Sequence, residues 1–153
     1  MREALMRDRT LSWAAALRDM KADRATRPAI REERLRTAAG LRGAAPTALS
    51  AWRGASGRRY VVVVHDLDQP DLVADQAAVT LAVHRDAEGR ATAVAVRACN
   101  AGDPGYLGWL AACAQLGAIE LHAHRLAEDQ ADRAAIAADL GGPAQTITAG
   151  APQ

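Results

Sequence analysis

Glu120, His122 and His124 alternate with the apolar Ile119, Leu121 and Ala123 along the short run Ile119–His124. Alternate residues of a strand project from one face, so the spacing predicts one carboxylate and two imidazoles on a common surface. His-x-His on a strand can present both rings to a single metal ion, with Glu120 or His65 as a third ligand. The plainer reading is a polar strand face covered by Arg125 or by a helix. A second set comes from two neighbouring strands. Thr80, Ala82 and His84 are expected on one face of the first, and Ala93, Ala95 and Arg97 on one face of the next. If those faces coincide, Thr80, His84 and Arg97 form a patch for a phosphate or an acidic partner. An exposed Arg97, however, needs no special explanation. A third set, Trp52, Arg53, Arg58 and Arg59 beside Tyr60, combines guanidinium groups with aromatic rings, the chemistry that contacts phosphates and stacks bases. The alternative is that Trp52 folds back to plug the small core.

Nucleophile chemistry has thinner support. Cys99 follows a strand beside Asn100 and reads as a candidate exposed thiol, with Arg97 and a helix start as the only groups near enough in sequence to lower its pKa. Cys113 lies in an Ala-rich helical stretch and reads as a small core hydrophobe. Two cysteines make no disulfide framework. Ala39–Gly43 contains two glycines but lacks the lysine and the strand–loop–helix setting of a phosphate loop.

The elements that must position these residues follow from periodicity and punctuation. Residues 2–24 space Leu5, Met6, Trp13, Ala16, Leu17 and Met20 as one amphipathic helix. Residues 25–58, broken by Pro28, Gly40, Gly43, Pro46, Gly54 and Gly57, read as a loose linker with a short helical piece near Arg31–Leu41. Tyr60–His65 is a strand. Val79–His84 and Ala91–Ala98 form a hairpin across Asp86–Gly89. Asp103 and Pro104 suggest the cap and first residue of a helix ending near Leu116, before Gly117. A strand over 119–124 and a helix over Glu128–Leu140 complete the order. The expected fold is α+β, a small, mostly antiparallel sheet of about four strands flanked by helices. The expected domains are a helical, basic arm over 1–57, the α+β domain over 58–143, and a loose tail over 144–153.

Bulk properties narrow the classes. The 153 residues fit one domain plus an arm. Half the residues are apolar, yet there is no Phe, so Ala, Val and Leu must fill the core. Lys21 is the sole lysine, and the many Ala and Arg suggest a GC-rich, bacterial coding sequence. Residues 1–58 hold 13 Arg and Lys against 6 Asp and Glu, and residues 59–153 hold 6 against 12. That asymmetry fits a basic arm for nucleic acid, or a solvated helix laced with local ion pairs. No stretch approaches the roughly 20 apolar residues of a membrane span, and no signal peptide is evident, so a cytoplasmic location is expected.

The order of elements resembles the GIY-YIG endonuclease family over residues 58–143. Ala78-Val79-Thr80 stands where the first motif would fall and Ala95-Val96-Arg97 where the second would. Leu121–Leu126 followed by Ile136–Leu140 resembles the segment that ends in a glutamate-bearing helix. The resemblance implies phosphodiester hydrolysis with one divalent metal, using motif tyrosines, a helical arginine and that glutamate. In this chain the tyrosine positions are Thr80 and Ala95, the motif glycines are Ala78 and Arg97, and Tyr106–Trp109 offers no arginine. The glutamate position is Ala137, and Asp139, two residues on, lies about 200° around the helix. The resemblance therefore implies a catalytically inactive copy without a cofactor, binding nucleic acid or a protein. A metal-dependent hydrolase built from His84, His122 and His124 is the alternative class, and a structural protein dimerising through its N-terminal helix is the third.

Overall fold

A computed structural model describes residues 12–35, 48–69 and 71–142. The helices are α1 (Trp13–Thr26), the one-turn α2 (Asp71–Ala74), α3 (Tyr106–Gln115) and α4 (Gln130–Gly141). The strands are β1 (Arg31–Glu33), β2 (Leu49–Arg53), β3 (Arg59–Asp66), β4 (Ala78–Arg85), β5 (Ala91–Cys99) and β6 (Glu120–His124). They form one sheet in the order β1-β2-β3-β6-β4-β5, every neighbouring pair antiparallel. The architecture is α+β, as the sequence suggests, but the sheet has six strands rather than about four. It curls into a half-barrel whose edge strands approach at one end, where Arg34 donates to the Gly89 carbonyl at 3.2 Å.

The two extra strands come from the stretch that reads as a linker. Arg31–Glu33 is a strand, not the start of a helix, and Ala51 and Trp52 are only 1% exposed. A boundary at residue 58 therefore cuts through the β2–β3 pair, where Trp52 faces Tyr60 and Arg53 faces Arg59. The remainder of the expected helical piece, the Ala39–Gly43 loop, residues 2–11 and the tail over 144–153 lie outside the described residues.

Alternation divides the core in two. The concave face carries Trp52, Tyr60, Val62, Val79, Leu81 and Val83, sealed by Ile136 and Leu140 of α4. The convex face carries Ala78, Ala82, Ala95, Cys99, Leu121 and Ala123, covered by Tyr106, Trp109, Leu110 and Cys113 of α3. With no Phe, each layer depends on close contact between Ala, Val and Leu, at about 25 cal/mol for every Å² of apolar surface buried.

The helix boundaries follow local chemistry. Asp129 caps α4 by accepting from the Asp132 N–H, and Gly142, with φ +63°, follows its last residue. Gly117, φ +90°, closes the turn after α3 as its position implies. At the start of α3 the structure departs from expectation. Gly105 stands at the cap position, while Asp103 accepts from the Gly105 N–H at 2.9 Å and from Arg97 at 2.9 Å. The Asp86–Gly89 turn behaves as its residues predict: Asp86 Oδ1 accepts from the Glu88 and Arg90 N–H groups, and Gly89 has φ +80°.

Candidate functional site

Glu120, His122 and His124 do share a face, and that face is the buried concave one. Each lies opposite a core residue of β4: Glu120 pairs with Val83, His122 with Leu81 and His124 with Val79. The rings are already committed. Indole N–H can only donate, so Trp52 Nε1, 2.9 Å from His122 Nδ1, fixes that nitrogen as the acceptor. His122 Nε2 then carries the proton and donates to Glu120 Oε2 at 2.9 Å. The imidazole is held neutral: burial, chiefly, pushes its pKa below the usual histidine value, outweighing the pull of Glu120 and Glu32. His124 donates from Nδ1 to the Val61 carbonyl at 2.7 Å. Among the described residues no group of three or more His, Cys, Asp or Glu is placed to hold a metal ion.

The chain of bonds runs on to a centre that sequence spacing does not reveal. Arg85, next inward after Val83 on β4, meets Glu120 at 2.6 Å and Glu32 at 3.0 Å, and it donates to the Gly89 carbonyl at 2.8 Å. Ser50 donates to Glu32 at 2.8 Å. Hydrogen bonds from Arg85 hold the Glu120 carboxyl below its ordinary pKa. Burial works to raise Glu32, but Arg85 and Ser50 outweigh it and its pKa is lowered too. Their carboxylates in turn raise the Arg85 pKa. Strands β1, β4 and β6 thus meet at one guanidinium, and β2 joins them through Ser50 and Glu32, on the side where the half-barrel comes closest to closing. The arrangement is a structural clasp with every ionised group paired. The alternation Leu81, Val83, Arg85 was the available sign that this arginine points inward; its partner Glu32, 53 positions away, left none.

The convex patch does not form as the alternation implies. Thr80 pairs with Arg97 and Ala82 with Ala95, but Val83 pairs with Ala93, leaving Val94 as an extra residue in β5. This bulge sends Ala93 to the concave cluster while Ala95 stays on the convex one. Thr80 is fully buried, its hydroxyl lacking a hydrogen bond of good geometry beside the Cys99 thiol. His84 is exposed, with Nδ1 2.9 Å from the Gly117 carbonyl, and Arg97 pairs with Asp103. Cys99 is 3% exposed, not an accessible thiol, and burial, foremost, raises its pKa. That is the opposite of what a nucleophile requires. Cys113 fits the expectation of a core residue, its pKa pushed up to about 11 by burial.

Three further expectations have separate outcomes. Trp52 is 1% exposed within the concave core, which is the plainer of the two expectations for it. Arg53 and Arg59 both bond Glu33, at 2.7 and 2.9 Å, while Arg58 lies 5.7 Å from the centre of the Tyr60 ring. The positions implied by the GIY-YIG resemblance do not converge: Thr80 and Ala95 lie on the convex face, and Ala137 packs on the concave one. His84 is likewise divided from His122 and His124 by the sheet, so the three histidines make no common centre.

Asp139 has a role of its own. It accepts from the Ser56 N–H at 2.7 Å, the Ser56 hydroxyl at 2.7 Å and the Tyr60 hydroxyl at 2.8 Å, tying α4 to the β2–β3 hairpin. Gly54 lies so close that a Cβ there would fall 2.0 Å from Asp139 Oδ2.

The remaining candidate surface is α1. Trp13, Leu17 and Met20 are 80%, 51% and 55% exposed. Their spacing puts them on one face. Among the described residues no helix is long and apolar enough to cross a membrane. Comparison with protein-family models, curated proteins and solved structures finds no match for the chain.

Proposed function

We infer that the chain is a non-catalytic protein-binding domain that docks through α1, with a second copy of itself as the partner. One observation carries this reading: the outward stripe Trp13, Leu17, Met20. A tryptophan 80% exposed in line with two other large apolar side chains is the kind of surface that an interface covers. Fully burying each such side chain contributes about 1.5–3 kcal/mol. The charges beside the stripe favour self-association. At about 100° per residue, Arg18 and Lys21 fall on one flank and Asp19 and Asp23 on the other, while Arg24 ends the line of the stripe itself. When two such helices pair in parallel about a two-fold axis, the basic flank of each faces the acidic flank of its partner.

Sedimentation equilibrium across a hundredfold concentration range tests this. The expected result is a reversible dimer for the native chain, and a monomer with unchanged far-ultraviolet circular dichroism for Leu17→Glu combined with Met20→Glu. A native chain that stays monomeric throughout would end the reading. Nucleic-acid binding is the second reading, supported by the 13 Arg and Lys against 6 Asp and Glu over residues 1–58. Its signature is duplex affinity that falls steeply with salt. A degenerate GIY-YIG ancestry is compatible with either reading and supplies residues to neither.

A further inference from the structure

The half-barrel closes at one end and opens at the other. At the closed end Arg34 bonds the Gly89 carbonyl in the β4–β5 turn, and Arg85 of β4 reaches Glu32 of the edge strand β1. From there β1 and β5 diverge around a groove of about 750 Å³, walled by Ile30, Arg31, Val96, Arg97, Gly141 and Gly142. This volume lies in the range of pockets that hold a ligand or a short peptide segment. Among the described residues β5 pairs with β4 alone, so one row of backbone N–H and C=O groups along its nine residues faces this groove. The bulge at Val94 interrupts this edge, but Ala95–Cys99 beyond it carry no proline or lysine and form a template for another strand.

We propose that the groove accepts an extended acidic peptide, which adds to the free edge of β5 as a further strand. The main-chain groups supply the pairing, as in other strand-addition modes. Two features of the lining define the partner. On the concave side of β5 the groove is lined by the alanines at 91, 93 and 98, and the glycines at 141 and 142 add no side chain to it, so an incoming backbone can approach closely. Among the described residues that line it, the charged ones are Arg31 and Arg97. The carboxylates near them are outnumbered or lie outside the lining. Glu33 is shared by Arg31, Arg53 and Arg59, and Asp103, which pairs with Arg97, does not line the groove. Acidic side chains on alternate residues of a peptide would meet these two cations while the residues between them face the alanines. Pro28, Ile30 and Arg31 and the end of α4 also line the groove, and its volume suits a single extended chain. This surface is independent of α1.

The test uses the full chain and two fluorescent decapeptides, one alternating Glu with Val and one alternating Lys with Val. Anisotropy should give binding for the Glu peptide at least tenfold tighter than for the Lys peptide, and weaker in high salt. Hydrogen exchange should show the Glu peptide slowing amides of Ala91–Cys99. Gly141→Leu places a side chain in the groove from a position where a Cβ meets only Val96 at 3.8 Å, so it should fold and lose at least tenfold in affinity. Arg97→Gln should weaken the Glu peptide alone. The double variant Leu17→Glu, Met20→Glu should bind the peptide as the native chain does, which separates failure here from failure of the α1 reading. Equal affinity for both peptides, binding that Gly141→Leu leaves intact, or no slowing of β5 amides would overturn the proposal. So would β5 amides that slow with protein concentration in the absence of peptide, since the edge would then belong to a second copy.

Discussion

The two faces of the sheet handle buried polar groups in opposite ways. On the concave face, Trp52, His122, Glu120, Arg85, Glu32 and Ser50 form a continuous run of hydrogen bonds in which each member has a partner. On the convex face, the Thr80 and Tyr106 hydroxyls are buried without a hydrogen-bond partner, and burial, foremost, pushes the Tyr106 pKa up to about 12. The concave bonds serve the geometry of the sheet, because they hold four strands in a curl. The convex hydroxyls sit in a layer that α3 closes by apolar contact alone. Polarity is therefore costly to remove on one side and costly to keep on the other.

The largest expected effect is at the hub. Arg85→Met leaves Glu32 and Glu120 facing each other without their cation. Breaking one side of such a buried pair costs about 3–5 kcal/mol, which urea unfolding monitored by tryptophan fluorescence will measure. A cost below about 1 kcal/mol would mean that water reaches the cluster and that the concave side is no more specified than the convex. Gly54→Ala comes next. Its Cβ would strike the Asp139 carboxylate and break the tie between α4 and the β2–β3 hairpin, at about 2 kcal/mol. The double variant with Asp139→Ala should cost less than the sum of the two single changes, because both damage one tie.

Acid should distinguish the faces more finely. His122 is held neutral with a lowered pKa, so the unfolded chain takes up its proton first as pH falls. Stability is expected to decline below about pH 6.5. Glu32 and Glu120 have lowered pKa values, so their contribution is present above the unfolded value of 4.5 and disappears as pH falls through the lower folded values. His65, on the other face and also lowered chiefly by burial, contributes in the same direction as His122. His122→Gln can still accept from Trp52 and donate to Glu120, yet it does not titrate. It should flatten the slope of unfolding free energy between pH 7 and 5.5 while leaving the loss below pH 4.5. An unchanged upper slope would assign it to His65.

The contrast also explains what could be read from the residues. The long apolar strands β3, β4 and β5, the Asp86–Gly89 turn, and helices α3 and α4 announce themselves by period and punctuation. So does the common face of Glu120, His122 and His124. Strand β1 does not, because three charged residues carry no hydrophobic period, and β2 hides its inward alternation by placing Ser50 where a core residue is expected. Both owe their position to partners far along the chain: Glu32 to Arg85, and Trp52 to His122, 70 residues on. The bulge at Val94 is equally silent, and it alone decides that Ala93 and Ala95 face opposite ways. Local signals thus describe the convex layer and the strands beneath it, while the concave clasp arises from tertiary pairings that no window of sequence contains.

The smallest effect has the opposite sign. Thr80 is fully buried between β5 and β6, paired with Arg97 on one side and Ala123 on the other. Thr80→Val keeps the branched shape that suits a strand and replaces a hydroxyl whose only close polar neighbour among the described residues is the Cys99 thiol, at poor hydrogen-bond geometry. The native state then sheds an unmet desolvation cost, and stability should rise by about 0.5–1 kcal/mol. Tyr106→Phe should behave alike for the same reason. Ser50→Ala, on the concave face, removes an equally small hydroxyl that Glu32 does use, and should lower stability by about 1 kcal/mol. Opposite signs for Thr80→Val and Ser50→Ala in parallel urea titrations would locate the difference between the faces in hydrogen bonding. Matching signs would locate it in packing.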